Sequence, residues 1–157
     1  MKIAIGGDHA GFPLKGPLVH FLQTEGHEVT DYGTFSPDPV DFPDIAQVVC
    51  DAVRNGKAER GIMVCGSGAG ACIAANKVPR IRAALCHDTY TAHQCVEHDD
   101  VNVMCIGAQI IGIAMAEEIV STFLAARFST QGDFHRRVAK LSDMELRAAK
   151  ELCDGPG

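Results

Sequence analysis

Positive charge is scarce in this sequence: 14 Lys+Arg stand against 20 Asp+Glu, for a formal net charge of −6. Such a surface disfavours a polyanion as its main partner, so nucleic acid is not expected. Long apolar runs are missing too. The longest mostly apolar stretch, Ile110 to Ala116, stops at Glu117 and Glu118, far short of the roughly 20 residues a membrane helix needs, and no membrane partner is expected. No export signal is legible, because MKIAIGGDHA runs into a polar, glycine-containing turn without an apolar core segment or cleavage site. The expected location is cytoplasmic. Close cysteine pairs are also lacking. The seven cysteines fall at 50, 65, 72, 86, 95, 105 and 153, which fits neither a zinc ribbon nor a redox pair. Most sit among Val, Ile, Ala and Met, where cysteine is a small core residue. Linkers, low-complexity tracts and internal repeats are absent, so 157 residues with 46% hydrophobic content read as one domain, 1–157, able to build its core without staples.

What is present is an alternation of short apolar runs with helical spacing. Ile3 to Ile5 reads as a strand, and Leu14, Leu18, Phe21 and Leu22 then recur at helical intervals until Gly26. Glu28 to Tyr32 is a second strand. The loop Thr34 to Pro43, with three prolines, precedes a helix face of Ile45, Val48, Val49, Ala52 and Val53 that Gly56 ends. Gly61 to Cys65 has the continuous apolar character of a strand buried on both faces, and a small-residue helix through Ala75 follows it. Ala83 to Cys86 and Val101 to Ile106 repeat the theme, and Ile111 to Ala126 and Arg136 to Leu152 read as helices. Five strands alternating with helices predict an α/β, Rossmann-like three-layer sandwich with a mostly parallel sheet. The charged C-terminal helix, expected over 134–152, is long enough to pass the domain body and serve a subunit contact.

Ligands of an open α/β sheet bind at the carboxyl ends of its strands. After the first strand, Gly6-Gly7-Asp8-His9-Ala10-Gly11 nearly fits G-x-G-x-x-G, but Asp8 stands where backbone must approach a pyrophosphate. Asp31 ends the second strand where a dinucleotide fold binds ribose, which keeps a nucleotide reading open beside one in which Asp8 and His9 cap the next helix. After the third strand, Cys65-Gly66-Ser67-Gly68-Ala69-Gly70 opens a helix. Gly66, Gly68 and Gly70 let backbone N–H groups converge on an anion or a developing oxyanion. No Lys follows to make a nucleotide-triphosphate loop. Cys65 lies in the same positive field, which is expected to lower its pKa and favour a thiolate; the alternative is a core cysteine beside a tight turn. His98, within Glu97-His98-Asp99-Asp100, suits proton transfer near neutral pH. His87 and His93 are further potential ligands, but His93 and His98 are wrongly spaced for one helix face, and no metal is expected. His135-Arg136-Arg137 is either a phosphate grip or a solvated first turn.

Four blocks carry a resemblance: GGDHAG at 6–11, DYGTFSPDPVDFPD at 31–44, GIMVCGSGAGACIAANKVPRIRAA at 61–84 and EHDDVNVMCIGA at 97–108. In this order they resemble the ribose-5-phosphate isomerase B family, which also contains the galactose-6-phosphate isomerase subunits. The resemblance implies interconversion of aldose and ketose phosphates without cofactor, by a homodimer or dimer of dimers with sites between subunits. It implies Cys65 as the residue that moves a proton through an enediolate, Ser67 as the hydroxyl beside it, and the amides of Gly66 to Gly70 as holders of the enediolate oxygen. His98 is implied in ring opening, Asp8 in positioning the sugar hydroxyls or the ring oxygen, and His9 and Arg137 in phosphate contact.

The departures concern the substrate's far end. The family usually has Asn where Asp99 stands, Arg where Gln109 stands, and Gly-Gly-Arg-His where this chain reads Gly132-Asp133-Phe134-His135. Two phosphate-facing cations are thus missing or moved, with Gln109 and Asp133 taken to replace them, and His9, His135, Arg136 and Arg137 left to hold any anion. Ribose 5-phosphate is the default substrate. A tetrose phosphate, a hexose phosphate or an unphosphorylated sugar is the alternative within the family, and a non-catalytic nucleotide-binding module the alternative outside it.

Overall fold

A computed structural model describes residues 1–155; the last two positions of the domain expected over 1–157 lie outside the described residues. Strands β1 (Lys2–Gly7), β2 (Glu28–Asp31), β3 (Arg60–Cys65), β4 (Ala83–Leu85) and β5 (Val103–Gly107) form one sheet in the order β2-β1-β3-β5-β4. Every pairing is parallel, where the sequence pattern predicted a mostly parallel sheet. Helices α1 (Phe12–Thr24), α4 (Thr89–Asp99) and α5 (Ile113–Ala125) cover one face, and α2 (Phe42–Arg54) and α3 (Ala69–Ala75) the other. The period-2 alternation of the strands separates the two cores. Ile3, Ile5, Ile62, Val64, Met104 and Ile106 pack under Leu18, Leu22 and Phe123. Ala4, Met63, Cys65, Val103 and Cys105 pack under Val49, Ala71 and Ala75.

The connection from β1 runs outward to β2, while β3 lies on β1's other side, so the strand order reverses between β1 and β3. A crevice forms at such a reversal, outside the carboxyl ends of the strands. Gly11 lets the turn after β1 lie against β3: a Cβ there would stand 1.9 Å from the Val64 carbonyl oxygen.

The last helix, α6 (Gly132–Asp154), buries none of its residues. Leu141, Met144, Leu146 and Leu152 are exposed along it. Between α6 and the β4 edge runs a groove of about 630 Å³, lined in part by Pro79, Ile81, Val101, Leu141 and Leu152. The Arg80 amide, which donates to Glu145 at 2.9 Å, ties the helix across it.

Candidate active site

The carboxyl ends of β1 and β3 bring together Asp8 and Cys65, 57 residues apart in sequence. The Cys65 thiol donates to Asp8 Oδ2 at 2.9 Å, and Asp8 Oδ1 accepts from the Gly11 amide at 2.8 Å. Asp8 therefore does two jobs, ordering the turn with one oxygen and holding the thiol with the other. Both side chains are buried, at 5% and 8% exposure. The amides of Gly68 and Gly66 also point at the sulfur, as the glycine pattern implied, and pull the thiol pKa down; burial and the bond to Asp8 outweigh them and hold it above its ordinary value of 9. This corrects the expected thiolate: the resting Cys65 is a protonated donor, because the strand end is dry and its nearest partner is a carboxylate.

The glycine loop is fixed by its own backbone. Gly68 has φ +79°, the left-handed conformation that glycine adopts without strain. Ser67 is exposed at the mouth, its hydroxyl accepting from the Ala69 amide at 3.3 Å. Gly70 sits close beneath the ring of Phe42. The turn after β5 closes over the loop: the Ala108 amide donates to the Cys65 carbonyl at 2.8 Å and that of Gln109 to the Gly66 carbonyl at 3.0 Å. The Gln109 side chain lies beside Gly66, so it borders the crevice at the place expected for a cation. His9 is exposed on the same rim, its Nδ1 accepting from the Val40 amide at 3.3 Å.

The other expected residues lie at the opposite end of the sheet. His98 is near the end of α4, and the chain there returns to where the strands begin: Arg82, just before β4, donates through Nε to the carbonyls of Asp99 and Asp100, and Arg60, the first residue of β3, bonds the Val101 carbonyl. From Arg60 to Cys65 is five strand steps, roughly 16 Å at about 3.3 Å per residue. One chain therefore does not join His98 to Cys65. Of the three carboxylates beside His98 in sequence, only that of Glu97 is within ion-pair reach, at 3.7 Å. The ring instead stacks on Phe134 of α6, centroids 4.1 Å apart and planes 15° from parallel. Arg137 also lies over the Phe134 ring, its guanidinium carbon 5.4 Å from the centroid. His135 Nε2 is 2.8 Å from the Ser129 carbonyl and its ring is tilted against Phe128. Arg136 is paired with Asp133 at 3.0 Å. Asp99 is exposed and lines the groove under α6.

Three further points amend the sequence reading. Matched in order, Gly-Gly-Arg-His against Gly132-Asp133-Phe134-His135 puts Phe134, not Asp133, in the place of the arginine. Asp31 is not free for a ribose: it pairs with the buried Lys15 and accepts from the Gly33 amide at 2.9 Å. His87, read only as a potential ligand, takes the Gly107 amide as a hydrogen-bond donor to its Nε2 at 2.9 Å.

The sequence model of the Ribose/Galactose Isomerase family matches residues 3–141. The chain is 43% identical over 135 residues to the D-erythrulose-4-phosphate isomerase of Pectobacterium atrosepticum, covering 84% of this chain and 88% of that protein. It is 40% identical over 146 residues to the ribose-5-phosphate isomerase B of Escherichia coli, covering 93% and 97%. The structure of the Clostridium thermocellum ribose-5-phosphate isomerase B superposes with a TM-score of 0.92 at 44% identity, covering 94% of this chain and 99% of that one.

Proposed function

The chain belongs to the ribose/galactose isomerase family, a family of sugar-phosphate isomerases, and from this premise we propose that it interconverts an aldose and a ketose phosphate through a cis-enediolate, with a four-carbon sugar phosphate preferred to ribose 5-phosphate. The observation that carries the chemistry is the buried Cys65 thiol held between the Asp8 carboxylate and the Gly66 and Gly68 amides. Asp8 is the nearest acceptor for the thiol proton. Once that proton has moved, the thiolate takes the proton from the hydroxyl-bearing carbon next to the carbonyl, and the C–H electrons form the enediolate double bond as the carbonyl π pair moves to oxygen. The charge on that oxygen faces the amides of the loop from Gly66 to Gly70. The exposed Ser67 hydroxyl relays the proton of the second oxygen to the enediolate oxyanion, so that the second oxygen becomes the new carbonyl as Cys65 returns its proton to the neighbouring carbon, and Asp8 gives its proton back to the sulfur. No atom is gained or lost.

The substrate follows from the far end. Phe134 in place of an arginine lies on His98, and Arg136 is neutralised by Asp133. Arg137 has no carboxylate partner among the described residues, and it sits against the same Phe134 ring. Anion contact is thereby drawn in towards the histidine, which suits a shorter chain. The name of the 43%-identical relative points to the same substrate class. A nucleotide-binding module fits poorly, since Asp31 is committed to Lys15.

His98, Arg137 and their neighbours reach a Cys65 only if a second copy supplies them, so the working unit is a homodimer or a dimer of dimers, in the cytoplasm, with each site built from two chains. The exposed apolar stripe of α6 fits a role in that contact. Assaying kcat/KM over four- to six-carbon aldoses and ketoses, with and without phosphate, tests the proposal. A best rate on a tetrose phosphate supports it; a wide margin for ribose 5-phosphate refutes the substrate choice, and no turnover of any sugar phosphate refutes the whole reading.

A further inference from the structure

We infer that His87 is a positioning residue for the reaction, holding the amide loop beside Cys65 through Gly107; the inference rests on the isomerase reading above. The starting observation is a gap in the sheet. Strand β4 has only three residues and ends at Leu85, opposite Cys105, while β5 continues to Gly107. The Cys86 amide still reaches the Cys105 carbonyl at 3.0 Å, but beyond it β4 offers β5 no further backbone partner. The amide of Gly107 is buried and must be satisfied. The His87 side chain satisfies it, with Nε2 at 2.9 Å.

That bond fixes the state of the ring. A backbone N–H only donates, so Nε2 accepts, and the imidazole is neutral with its proton on Nδ1. A protonated ring would set donor against donor. His87 is therefore used as an acceptor that extends a strand edge, and it takes no part in proton transfer.

Gly107 is the pivot of the turn that clasps the active-site loop. Its neighbours donate to the carbonyls of Cys65 and Gly66, at 2.8 and 3.0 Å, through the amides of Ala108 and Gln109. Its own carbonyl accepts from Ile110 and Ile111 at 3.0 and 3.1 Å. The approach to the loop is close: a Cβ on Gly107 would lie 2.8 Å from both the carbonyl carbon and the oxygen of Ser67. Movement of Gly107 thus transfers directly to Ser67 and to the amides on either side of it. The enediolate oxygen needs those amides at hydrogen-bond distance when its charge develops, so a small displacement is felt in the transition state more than in the bound sugar.

The test compares wild type with His87→Leu, which removes the acceptor, and His87→Gln, whose amide oxygen reaches close to the position of Nε2 and restores it. For His87→Leu, kcat is expected to fall by roughly tenfold or more while KM changes by less than about threefold, and His87→Gln is expected to recover most of the loss. An unchanged kcat in His87→Leu overturns the inference, as does an equal loss in both variants. Hydrogen exchange gives a readout independent of turnover: the amides of Gly107 and Gln109 should exchange faster in His87→Leu, by about tenfold, and return towards wild type in His87→Gln. Unchanged exchange in His87→Leu overturns the inference as well. Should wild type turn over no sugar phosphate, the isomerase reading fails, and the exchange measurement alone still decides whether His87 holds the turn.

Discussion

The two ends of the sheet are built differently. At the carboxyl end, Asp8 and Cys65 are buried, and backbone bonds from the turns after β1 and β5 hold the strand end and loop around them. At the amino end, His98 of α4 stacks on Phe134, and Phe134, Arg136 and Arg137 sit on α6, a helix that buries nothing, with Arg136 held by an exposed ion pair. The contrast teaches where such a protein changes. Backbone geometry at a dry strand end leaves little room for substitution, since a Cβ on Gly7, Gly11, Gly68 or Gly107 would strike a carbonyl. An exposed surface of stacked side chains tolerates new residues, and two of the three departures from the family pattern, Asp99 and Phe134, fall there. In the proposed reading, chemistry sits at the rigid end and substrate choice largely at the other.

The largest expected effect is at the rigid end. Cys65→Ala should lower kcat by about a thousandfold or more and remove exchange of the substrate's C2 proton with solvent deuterium, with little change in Tm. Undiminished exchange would take the thiol out of the mechanism. In wild type, the Cys65 thiol is raised above 9 by burial and by Asp8, so the thiolate fraction grows with pH. Because Asp8 takes and returns the thiol proton, the reactive pair holds as many protons as the resting pair, so kcat/KM should stay level between pH 7 and 9 rather than follow that fraction.

At the exposed end the effects should depend on the substrate. His98→Asn is expected to cost roughly ten- to a hundredfold on ribose 5-phosphate, which is mostly cyclic, and less than about threefold on a tetrose 4-phosphate, whose phosphorylated O4 cannot close a ring. Equal losses on both would contradict a role in ring opening. Smaller still, Phe134→Arg combined with Gln109→Arg should raise kcat/KM for ribose 5-phosphate relative to the tetrose phosphate by about tenfold, since each charge-assisted contact is worth roughly 1.5–3 kcal/mol before solvent exposure reduces it. No change in the ratio would mean that specificity is set elsewhere.

The smallest effect sharpens the account of the dry end. Cys72 is half-buried, and hydrogen bonds from Cys105, then from Asn76 and the Leu85 amide, bring its thiol down to about 7 against the opposing effect of burial. At pH 7.5 iodoacetamide should label Cys72 well before Cys65, as read by mass spectrometry of peptides. Faster labelling of Cys65 would restore the activated thiolate that its glycine loop suggested.

Most of the fold was legible because its cause is local. The short apolar runs between helical spacings placed all five strands within two residues of their ends, and Cys65 and the glycine loop were found because a strand end followed by glycines has few structural outcomes. The protonation of Cys65 was not legible, since it depends on Asp8 arriving from 57 positions away. Nor was the separation of His98 from Cys65, which follows from the direction in which α4 runs back along the sheet. His87 left one faint signal, a polar residue directly after a strand too short to pair with its neighbour.

The most direct test of the central claim, that each site joins the carboxyl end of one chain to the amino end of another, is complementation between Cys65→Ala and Arg137→Ala. Each variant alone should be inactive or strongly impaired on a tetrose phosphate. When equal amounts are co-expressed and associate at random in two-fold dimers, half of the dimers are mixed and each has one intact site, so activity should recover to about a quarter of wild type. Recovery no greater than the average of the two variants measured separately would contradict a site shared between chains.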